Sequence, residues 1–349
     1  MAIKCGIFKT SYRSDMAIWQ TKNSRFWIAL FFVSLAIFPF FASKYFLYMA
    51  NIIAVGVIAA VGLNILTGFA GQISLGHGAF IGVGAYFAGY LTSQFNINFI
   101  PAFIAGGLVT AIVGMLFGLP SLRLKGFYLA IATMAAQFIL AFMFIHLRSI
   151  TGGSQGMIVS PPEIAGFSFD SDFSYYFLST GTAIVMTLAA KNLIRGKFGR
   201  AFMAIRDNYI AAKTMGVNIF LYKIIAFGIS SFYAGIAGAL WAHYIQIITP
   251  EHFTISVSIE YLAIIIIGGL GNILGTIFGT IFIVALPELL RFVNGIVSAH
   301  YPMFVNLFDA IREGSFGLAI IGFLIFEPDG LAARWKTIKN YWKLWPFSY

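Results

Sequence analysis

Ten apolar stretches separated by short polar segments dominate the pattern of hydrophobic and polar positions. They cover residues 26–42, 45–66, 76–93, 99–119, 127–147, 173–193, 223–248, the two halves of 257–290, and 314–326. A membrane-spanning helix needs about 20 predominantly apolar residues, and most of these stretches are close to that length. The stretch at 257–290 is too long for one upright helix, and Gly268, Gly269 and Gly271 interrupt it. The pattern predicts an all-α, polytopic membrane protein of about ten transmembrane helices, and leaves open whether 257–290 holds two full spans or re-entrant halves.

Composition and charge add a topology to this pattern. Of the 349 residues, 60% are hydrophobic and only 10% are charged, whereas soluble domains have about 25% charged residues. Most of the 22 lysines and arginines lie in the N-terminal segment, at 123–125, in the 191–223 loop and in the C-terminal tail. Cytoplasmic loops carry an excess of Lys and Arg. Ten crossings therefore place these four segments, and both termini, in the cytoplasm, and the net charge of +10 needs no nucleic-acid partner.

This topology divides the chain into three parts. Residues 1–25 are expected to form a cytoplasmic N-terminal segment and residues 331–349 a cytoplasmic tail. Between them, residues 26–330 form a single transmembrane domain with a cytoplasmic loop at about 194–222. The first apolar run has no small-residue cleavage pattern at its end, so it predicts a spanning helix rather than a signal peptide. The single cysteine, Cys5, excludes an intrachain disulfide and a cysteine-built metal site.

A polar, glycine-rich stretch interrupts the apolar pattern at residues 64–92. Gln72, Ser74 and His77 lie there among glycines, where the surrounding sequence predicts hydrocarbon. Polar side chains inside a membrane face protein or a water-filled path, and glycines let backbones approach closely. We therefore expect these three residues to line a translocation path. For His77 the alternative is a hydrogen bond across a helix interface.

A second informative segment lies in the long basic loop. Apolar residues recur there at three- and four-residue spacing, at Phe202, Ile205, Tyr209, Ala212 and Met215. This spacing predicts an amphipathic helix outside the membrane, and Gly216 stands where such a helix would end. The helix could insert into a groove of a partner protein or lie on anionic lipid headgroups. The residue pattern alone leaves both interpretations open.

The sequence contains no motif for nucleotide hydrolysis or metal binding. It lacks a G-x-x-x-x-G-K-[ST] phosphate-binding loop, and its five histidines show no metal-binding spacing. Transport driven by ATP would therefore need a separate ATPase, and ATP and Mg²⁺ would bind to that partner rather than to this chain. Gly271, Gly275 and Gly279, at positions i, i+4 and i+8, predict a close contact between helices.

Two other classes of membrane protein fit less well. An ion-coupled transporter or channel acting alone is expected to carry acidic residues or an ion site at the bilayer centre. Glu260 and Glu288 instead bracket a stretch without charge, so they lie near the end of a span. A membrane-embedded enzyme would need clustered His, Asp or Glu, and the histidines are scattered.

Four motifs occur in a fixed order along the chain. They are G-Q-I-S-L-G-H-G-A-F at 71–80, G-R-A-F-M-A-I-R-D-N at 199–208 followed by A-A-x-x-x-G-V-N at 211–218, G-I-A-G-A-L-W at 235–241, and G-G-L-G-N-I-L-G at 268–275. Together they resemble the permease subunit of branched-chain amino acid ABC importers, and more closely its M-type member. The resemblance covers about residues 45–330 and implies an ABC importer permease fold in a bacterial inner membrane.

The resemblance also implies partners and roles. The partners would be a paralogous second permease, two ATP-binding subunits and an external substrate-binding protein. The basic loop would be the coupling helix that contacts the ATPase, with its contacts at Arg206, Asp207, Asn208, Ala211, Ala212 and Gly216. Relatives often carry an acidic residue just before the two alanines, where this chain has Tyr209 and Ile210, so Arg206 and Asp207 would supply the polar contacts.

The cargo follows from the resemblance alone. It implies leucine, isoleucine and valine, while related permeases carry urea, short amides or other amino acids. No residue pattern in the chain separates these substrates.

Overall fold

The computed structural model describes residues 22–122, 124, 126–164, 166–298, 308–327 and 329–344. These residues are mostly helical. The helices are α1 Lys22–Phe41, α2 Lys44–Asn64, α3 His77–Phe95, α4 Phe99–Gly118, α5 Phe127–His146, α6 Arg148–Thr151, α7 Asp172–Arg195, α8 Lys197–Asp207, α9 Tyr209–Thr214, α10 Ile219–Ile245, α11 Ile255–Gly268, α12 Ile273–Ser298, α13 Phe308–Phe326 and α14 Gly330–Leu344. A π-helical turn at Ile65–Phe69 continues α2, and 3₁₀ turns lie at Leu119–Leu122, Gly153–Gln155 and Pro250–Phe253.

The expectation of an all-α chain needs one small correction, because short strands lie in the loops between helices. They are β1 Met157–Ile158, β2 Glu163–Ile164, β3 Phe167–Ser168 and β4 Ile247–Ile248. β1 pairs antiparallel with β4, with Met157 opposite Ile248, and β2 pairs antiparallel with β3, with Glu163 opposite Ser168. The loop before α7 is thereby tied to the end of α10.

The chain divides into two compact units, Met1–Tyr48 and Met49–Tyr349. In the first unit the structure describes α1, which carries Pro39 near its end, and the first residues of α2. The second unit holds the rest of α2 and all later elements. The candidate site described below lies within this second unit.

Six helical segments in the described residues are long and apolar enough to cross a membrane: Lys44–Phe69, Phe99–Gly118, Phe127–His146, Asp172–Arg195, Ile219–Ile245 and Ile273–Phe292. The other predicted spans are also helical, but Phe26–Phe41 and Ile255–Gly268 are shorter apolar helices. With 14 residues, α11 rises about 21 Å, less than the ~30 Å hydrocarbon core. The structure thus supports a multi-pass protein, and the number of ten crossings stays a prediction.

The core of the second unit forms where α10 packs against α3 and α4. The backbones meet closely because small residues lie at the crossing: a Cβ built on Gly84 of α3 would overlap the backbone of Gly235 in α10. Large apolar side chains such as Ile112 and Leu116 on α4 face outward instead. Helices that associate through small residues while exposing large apolar ones are typical of membrane proteins.

Candidate translocation and coupling site

The polar stretch at 70–76 is a break between two helices. The π-helical turn Ile65–Phe69 ends α2, Gly71 takes a positive φ of 68°, and α3 begins only at His77. A helix that begins inside a bundle leaves its first amide N–H groups without partners in its own backbone, and lipid cannot supply them. Other side chains must therefore satisfy these groups.

Polar side chains from α5 and α11 bind the backbone at this break. The hydroxyl of Thr133 accepts from the Leu75 N–H at 2.9 Å, and the hydroxyl of Ser258 accepts from the Gly78 N–H at 2.8 Å. The side-chain oxygen of Gln137 accepts from the Ala79 N–H at 2.8 Å. The start of α3 is therefore capped by residues far away in sequence.

Gln137 connects this cap to the loop before α11. Its Oε1 also accepts from the Ser258 hydroxyl at 3.1 Å, and its Nε2 donates to the Phe253 carbonyl at 2.6 Å. Gln137 is 1% exposed and Ser258 is fully buried. Each of these hydrogen bonds joins two groups of this chain, so the network holds α3, α5 and α11 together.

The turn that presents the Phe253 carbonyl depends on a neutral histidine. Nδ1 of His252 accepts from the Thr249 N–H at 3.3 Å. Burial lowers the pKa of His252 below its ordinary value, and the neighbouring Glu251 opposes this shift. The lowered pKa favours the neutral imidazole, whose Nδ1 can act as an acceptor.

The three residues expected to line a path differ in their surroundings, although all three are buried. Nε2 of His77 lies 2.9 Å from the Ala59 carbonyl, and its ring packs edge-on against Tyr261. The hydroxyl of Ser74 accepts from the Gly76 N–H at 3.4 Å. The side-chain amide of Gln72 has no hydrogen-bond partner on either its nitrogen or its oxygen, although the residue is only 2% exposed.

This difference separates the three residues chemically. His77 makes the cross-helix hydrogen bond that was the alternative to a path role, and Ser74 bonds the backbone of its own turn. An unpartnered buried amide is costly, about 1–3 kcal/mol, and such groups in native structures call for an explanation. Gln72 is therefore the one of the three with free capacity to bind something else.

A second break lies between α11 and α12. Gly269 and Gly271 there take positive φ values of 114° and 73°, a conformation that glycine adopts at no steric cost. The side chain of Asn64, at the end of α2, accepts from the Gly271 N–H at 2.9 Å. Its amide nitrogen donates to the Asn272 carbonyl at 3.1 Å and to the Thr276 hydroxyl at 2.6 Å. One buried asparagine therefore bonds the backbone of this break, and the Asn272 side chain caps α12 by accepting from the Leu274 and Gly275 amide groups at 3.0 and 3.2 Å.

The glycine series after this break lies only partly on a helix. Gly275 and Gly279 are in α12, where a built Cβ would overlap the carbonyls of Gly268 and Ile264 in α11. Gly271 precedes α12, so only Gly275 and Gly279 of the series lie on this helix. Gly271 instead lies beside Gly68, where a built Cβ would overlap the Gly271 nitrogen. The two breaks are therefore in direct contact.

Arg206 reaches this contact from the basic loop. Its Nη1 donates to the Gly68 carbonyl at 2.8 Å, and a Cβ built on Gly271 would lie 3.1 Å from the same nitrogen. The rest of the guanidinium group binds its neighbour Asp207, with Nε and Nη2 each 2.9 Å from Oδ1. One arginine in the loop therefore touches both helix breaks.

The basic loop is not the single helix that the spacing predicted. It forms α8 and α9, and Asn208 separates them with an extended backbone. The Asn208 side chain accepts from the amide groups of Ile210 and Ala211 at 3.0 and 3.1 Å. Asparagine is a favoured helix N-cap. Asn208 therefore follows the last residue of α8 and at the same time caps the start of α9.

The apolar residues of the predicted face are divided between these two helices. Phe202 and Ile205 in α8 and Ala212 in α9 are buried within this chain, whereas Tyr209 is 43% exposed and Met215 is 84% exposed. Ala211 is exposed as well. Of this predicted face, the large apolar side chains that a partner could contact are therefore those of Tyr209 in α9 and Met215 after it.

Gly216 ends α9 as the sequence indicated. It takes a positive φ of 82°, its N–H donates to the Lys213 carbonyl, and the Val217 N–H donates to the Ala212 carbonyl at 3.0 Å. This pair of bonds is a Schellman motif, in which glycine is the usual residue after the helix cap.

A cavity of about 560 Å³ lies between the first break, the start of α5 and the basic loop. Its polar wall includes Gln72, Arg206, Tyr209, Lys213 and Lys223. Its apolar wall comes from residues of α5, α8 and α10 and of the turns before them: Leu124, Leu129, Ile205, Val217, Ile219 and Phe220. In the described part of the chain, no cluster of three or more His, Cys, Asp or Glu side chains could hold a metal ion.

Sequence reasoning missed the residues that bind the two breaks. Asn64, Thr133 and Gln137 lie in largely apolar helices, and Ser258 lies between Ser256 and Glu260 near the start of another. Such isolated polar residues in spans usually face the inside of a bundle, and that signal could have identified them. Their partners lie far away in sequence and could not be read from spacing.

Comparison with known proteins places this architecture in a family. Residues 45–324 match the family described as "Branched-chain amino acid transport system / permease component". The chain belongs to this permease family. It is similar to the high-affinity branched-chain amino acid transport permease LivM of Salmonella typhimurium, with 32% identity over 78% of this chain and 70% of that protein. LivM of Escherichia coli is equally similar, with 32% identity over the same shares.

More distant relatives match a smaller part of this permease. The autoinducer 2 import system permease LsrC of Salmonella typhi is 28% identical over 42% of this chain and 40% of its own length. Proteins of the branched-chain permease family are transporter subunits that work in ABC complexes with ATPase partners. The two breaks and the basic loop are thus features of a transporter subunit.

Proposed function

We propose that this permease subunit imports branched-chain aliphatic amino acids into a bacterial cytoplasm. It forms half of the translocation path beside a paralogous permease, with two ATP-binding subunits below and an external substrate-binding protein above. ATP and Mg²⁺ bind to the partners, and no reaction is catalysed on this chain. The printed cargo of the LivM relatives supports the choice of amino acid.

The proposed orientation places α8 and α9 in the cytoplasm together with both chain termini. The Lys- and Arg-rich segments support it, because cytoplasmic loops carry such an excess. In this orientation the exposed residues Tyr209, Ala211 and Met215 of the basic loop face the ATPase. Asn208 then has a different role from the one expected, since its side chain caps α9.

The contact of Arg206 with the first break is the observation that carries this proposal. A partner that moves α8 pulls on the Gly68 carbonyl, and Gly68 abuts Gly271 in the second break. Breaks without regular hydrogen bonding are where a helix bends most easily. Motion of the ATPase would therefore reach both breaks through one side chain.

The test replaces Arg206 in the complete transporter. Arg206→Gln loses the charged donor to the Gly68 carbonyl, and a hydrogen bond from a charged group contributes about 1.5–3 kcal/mol. We expect leucine uptake to fall about tenfold or more while ATP hydrolysis by the complex continues. Arg206→Lys should be intermediate, because one ammonium group cannot serve both Gly68 and Asp207 as the guanidinium fork does.

The matched control is Arg200→Gln, which removes the same charge from the same helix. Nη1 of Arg200 binds only the Arg195 carbonyl nearby in the chain, so uptake should change little. Competition by isoleucine and valine, but not by urea or acetamide, would support the cargo. Normal coupling in Arg206→Gln would exclude this arginine as the link.

A further inference from the structure

The cavity beside the first break has a strongly cationic wall. Arg206 of α8, Lys213 of α9 and Lys223 of α10 all line it. None of the described residues that line it is acidic, and Asp207, which binds Arg206, is not part of the wall. Lys223 is only 9% exposed. Three cations from three helices around one partly open cavity favour a negatively charged ligand.

Gln72 adds an independent indication of a ligand. It lies in the same wall and is only 2% exposed, and neither the nitrogen nor the oxygen of its side-chain amide has a hydrogen-bond partner. An amide nitrogen donates hydrogen bonds, as the lysine and arginine groups do. Donors of this kind suit the oxygens of a phosphate group.

The apolar wall narrows the class of ligand further. Leu124, Leu129, Val217, Ile219 and Phe220 share the cavity with the cations. Just beyond Gly126, at the start of α5, Phe127 and Tyr128 are 74% and 70% exposed. Aromatic side chains are enriched where a membrane meets water. A ligand with an anionic head and an apolar body fits this wall, whereas the ammonium group of a free amino acid would meet like charges.

We propose that this cavity binds the phosphate group of an anionic phospholipid. Basic pockets between helices on the cytoplasmic side are suited to such headgroups. The phosphate chemistry depends only on the cavity, and the choice of the cytoplasmic leaflet depends on the orientation proposed above. The bound headgroup would touch Arg206, so lipid occupancy and the coupling contact share one residue.

Binding to the purified complete transporter tests this site. Native mass spectrometry in detergent would follow the titration of phosphatidylglycerol, with phosphatidylcholine as the lipid without net charge and inorganic phosphate as the soluble probe. A lysine near a charged headgroup contributes a factor of about five in affinity. We therefore expect phosphatidylglycerol to bind about fivefold more weakly to Lys213→Gln and about 25-fold more weakly to Lys213→Gln/Lys223→Gln.

The control Lys197→Gln/Arg200→Gln removes two charges from α8 outside the cavity wall and should bind lipid as the wild type does. Lys213 is exposed, so the single variant keeps the test valid if the change at buried Lys223 impairs folding. Equal phosphatidylglycerol binding by all variants, or equal binding of phosphatidylcholine, would overturn the proposal. Binding of inorganic phosphate without any binding of phosphatidylglycerol would show that the occupant is a free phosphate and not a lipid. This experiment measures lipid binding, whereas the proposed importer function is tested by leucine uptake. Failure of one proposal can therefore be distinguished from failure of the other.

Discussion

This permease interrupts its helices twice beside the same arginine, at residues 70–76 and at 269–272. In the second break one side chain, that of Asn64, binds the backbone of the two neighbouring residues Gly271 and Asn272. In the first break the backbone is bound by Thr133, Gln137 and Ser258. The first break also contains Gln72, whose buried amide has no partner.

This difference indicates that the two breaks have different roles, one structural and one in binding a ligand. The break at 269–272 is held by the Asn64 side chain, and none of its described side chains is a buried polar group without a partner, so it serves as a structural joint. The break at 70–76 is equally well anchored at its helix start, and it keeps one amide free beside the cavity wall. Variants that change one break and leave the other intact can test this division.

The largest effect is expected where α11 and α12 meet next to the second break. In Gly275→Ala the new Cβ would overlap the Gly268 carbonyl. A backbone carbonyl cannot move aside as a flexible side chain can, so we expect a loss of about 3 kcal/mol in the free energy of unfolding. Thermal unfolding of the purified protein measures this loss.

Gly181→Ala provides the matched control in α7. A Cβ there would meet no atom within 4 Å, and alanine favours helix over glycine by about 1 kcal/mol. The control should therefore be unchanged or slightly more stable. Equal behaviour of the two variants would contradict a close packing of α11 on α12.

The next effect compares the side chains that hold the two breaks. Asn64→Ala and Gln137→Ala each leave buried backbone groups without partners, and each should cost about 2 kcal/mol of unfolding free energy. Thr182→Ala is the control, since its hydroxyl binds only the Leu178 carbonyl of its own helix. A much smaller loss in Asn64→Ala than in Gln137→Ala would mean that the second break is not held by its asparagine.

The helices and the positions of both breaks could be predicted from the sequence, because apolar runs and glycines report local preferences. The division of α8 from α9 was missed because the apolar spacing continued through Asn208. An asparagine side chain can bind the backbone two and three residues later, which competes with the continuing helix. The spacing of apolar residues carries no information about this competition.

The roles at the first break were harder to predict for a different reason. Gln72, Ser74 and His77 look alike in sequence, as polar residues in an apolar region. Whether each one is bonded depends on distant groups, such as the Ala59 carbonyl that faces His77. Tertiary contacts alone distinguish a structural polar residue from one with free capacity, so a candidate path of three residues was predicted and one is unpartnered.

The smallest effect on stability, and the most specific effect on transport, is expected at Gln72. Gln72→Leu replaces an amide that has no internal partner by an apolar side chain of similar size, so the midpoint of thermal unfolding should stay the same or rise. If the amide contacts cargo at the first break instead of a lipid phosphate, leucine uptake should nevertheless fall severalfold. Gln137→Leu should behave in the opposite way to Gln72→Leu in the unfolding experiment, because both polar atoms of the Gln137 amide have hydrogen-bond partners. A lower unfolding midpoint for Gln72→Leu would show that the amide is bonded in the folded protein. Normal leucine uptake by this variant would show that the first break, like the second, has only a structural role.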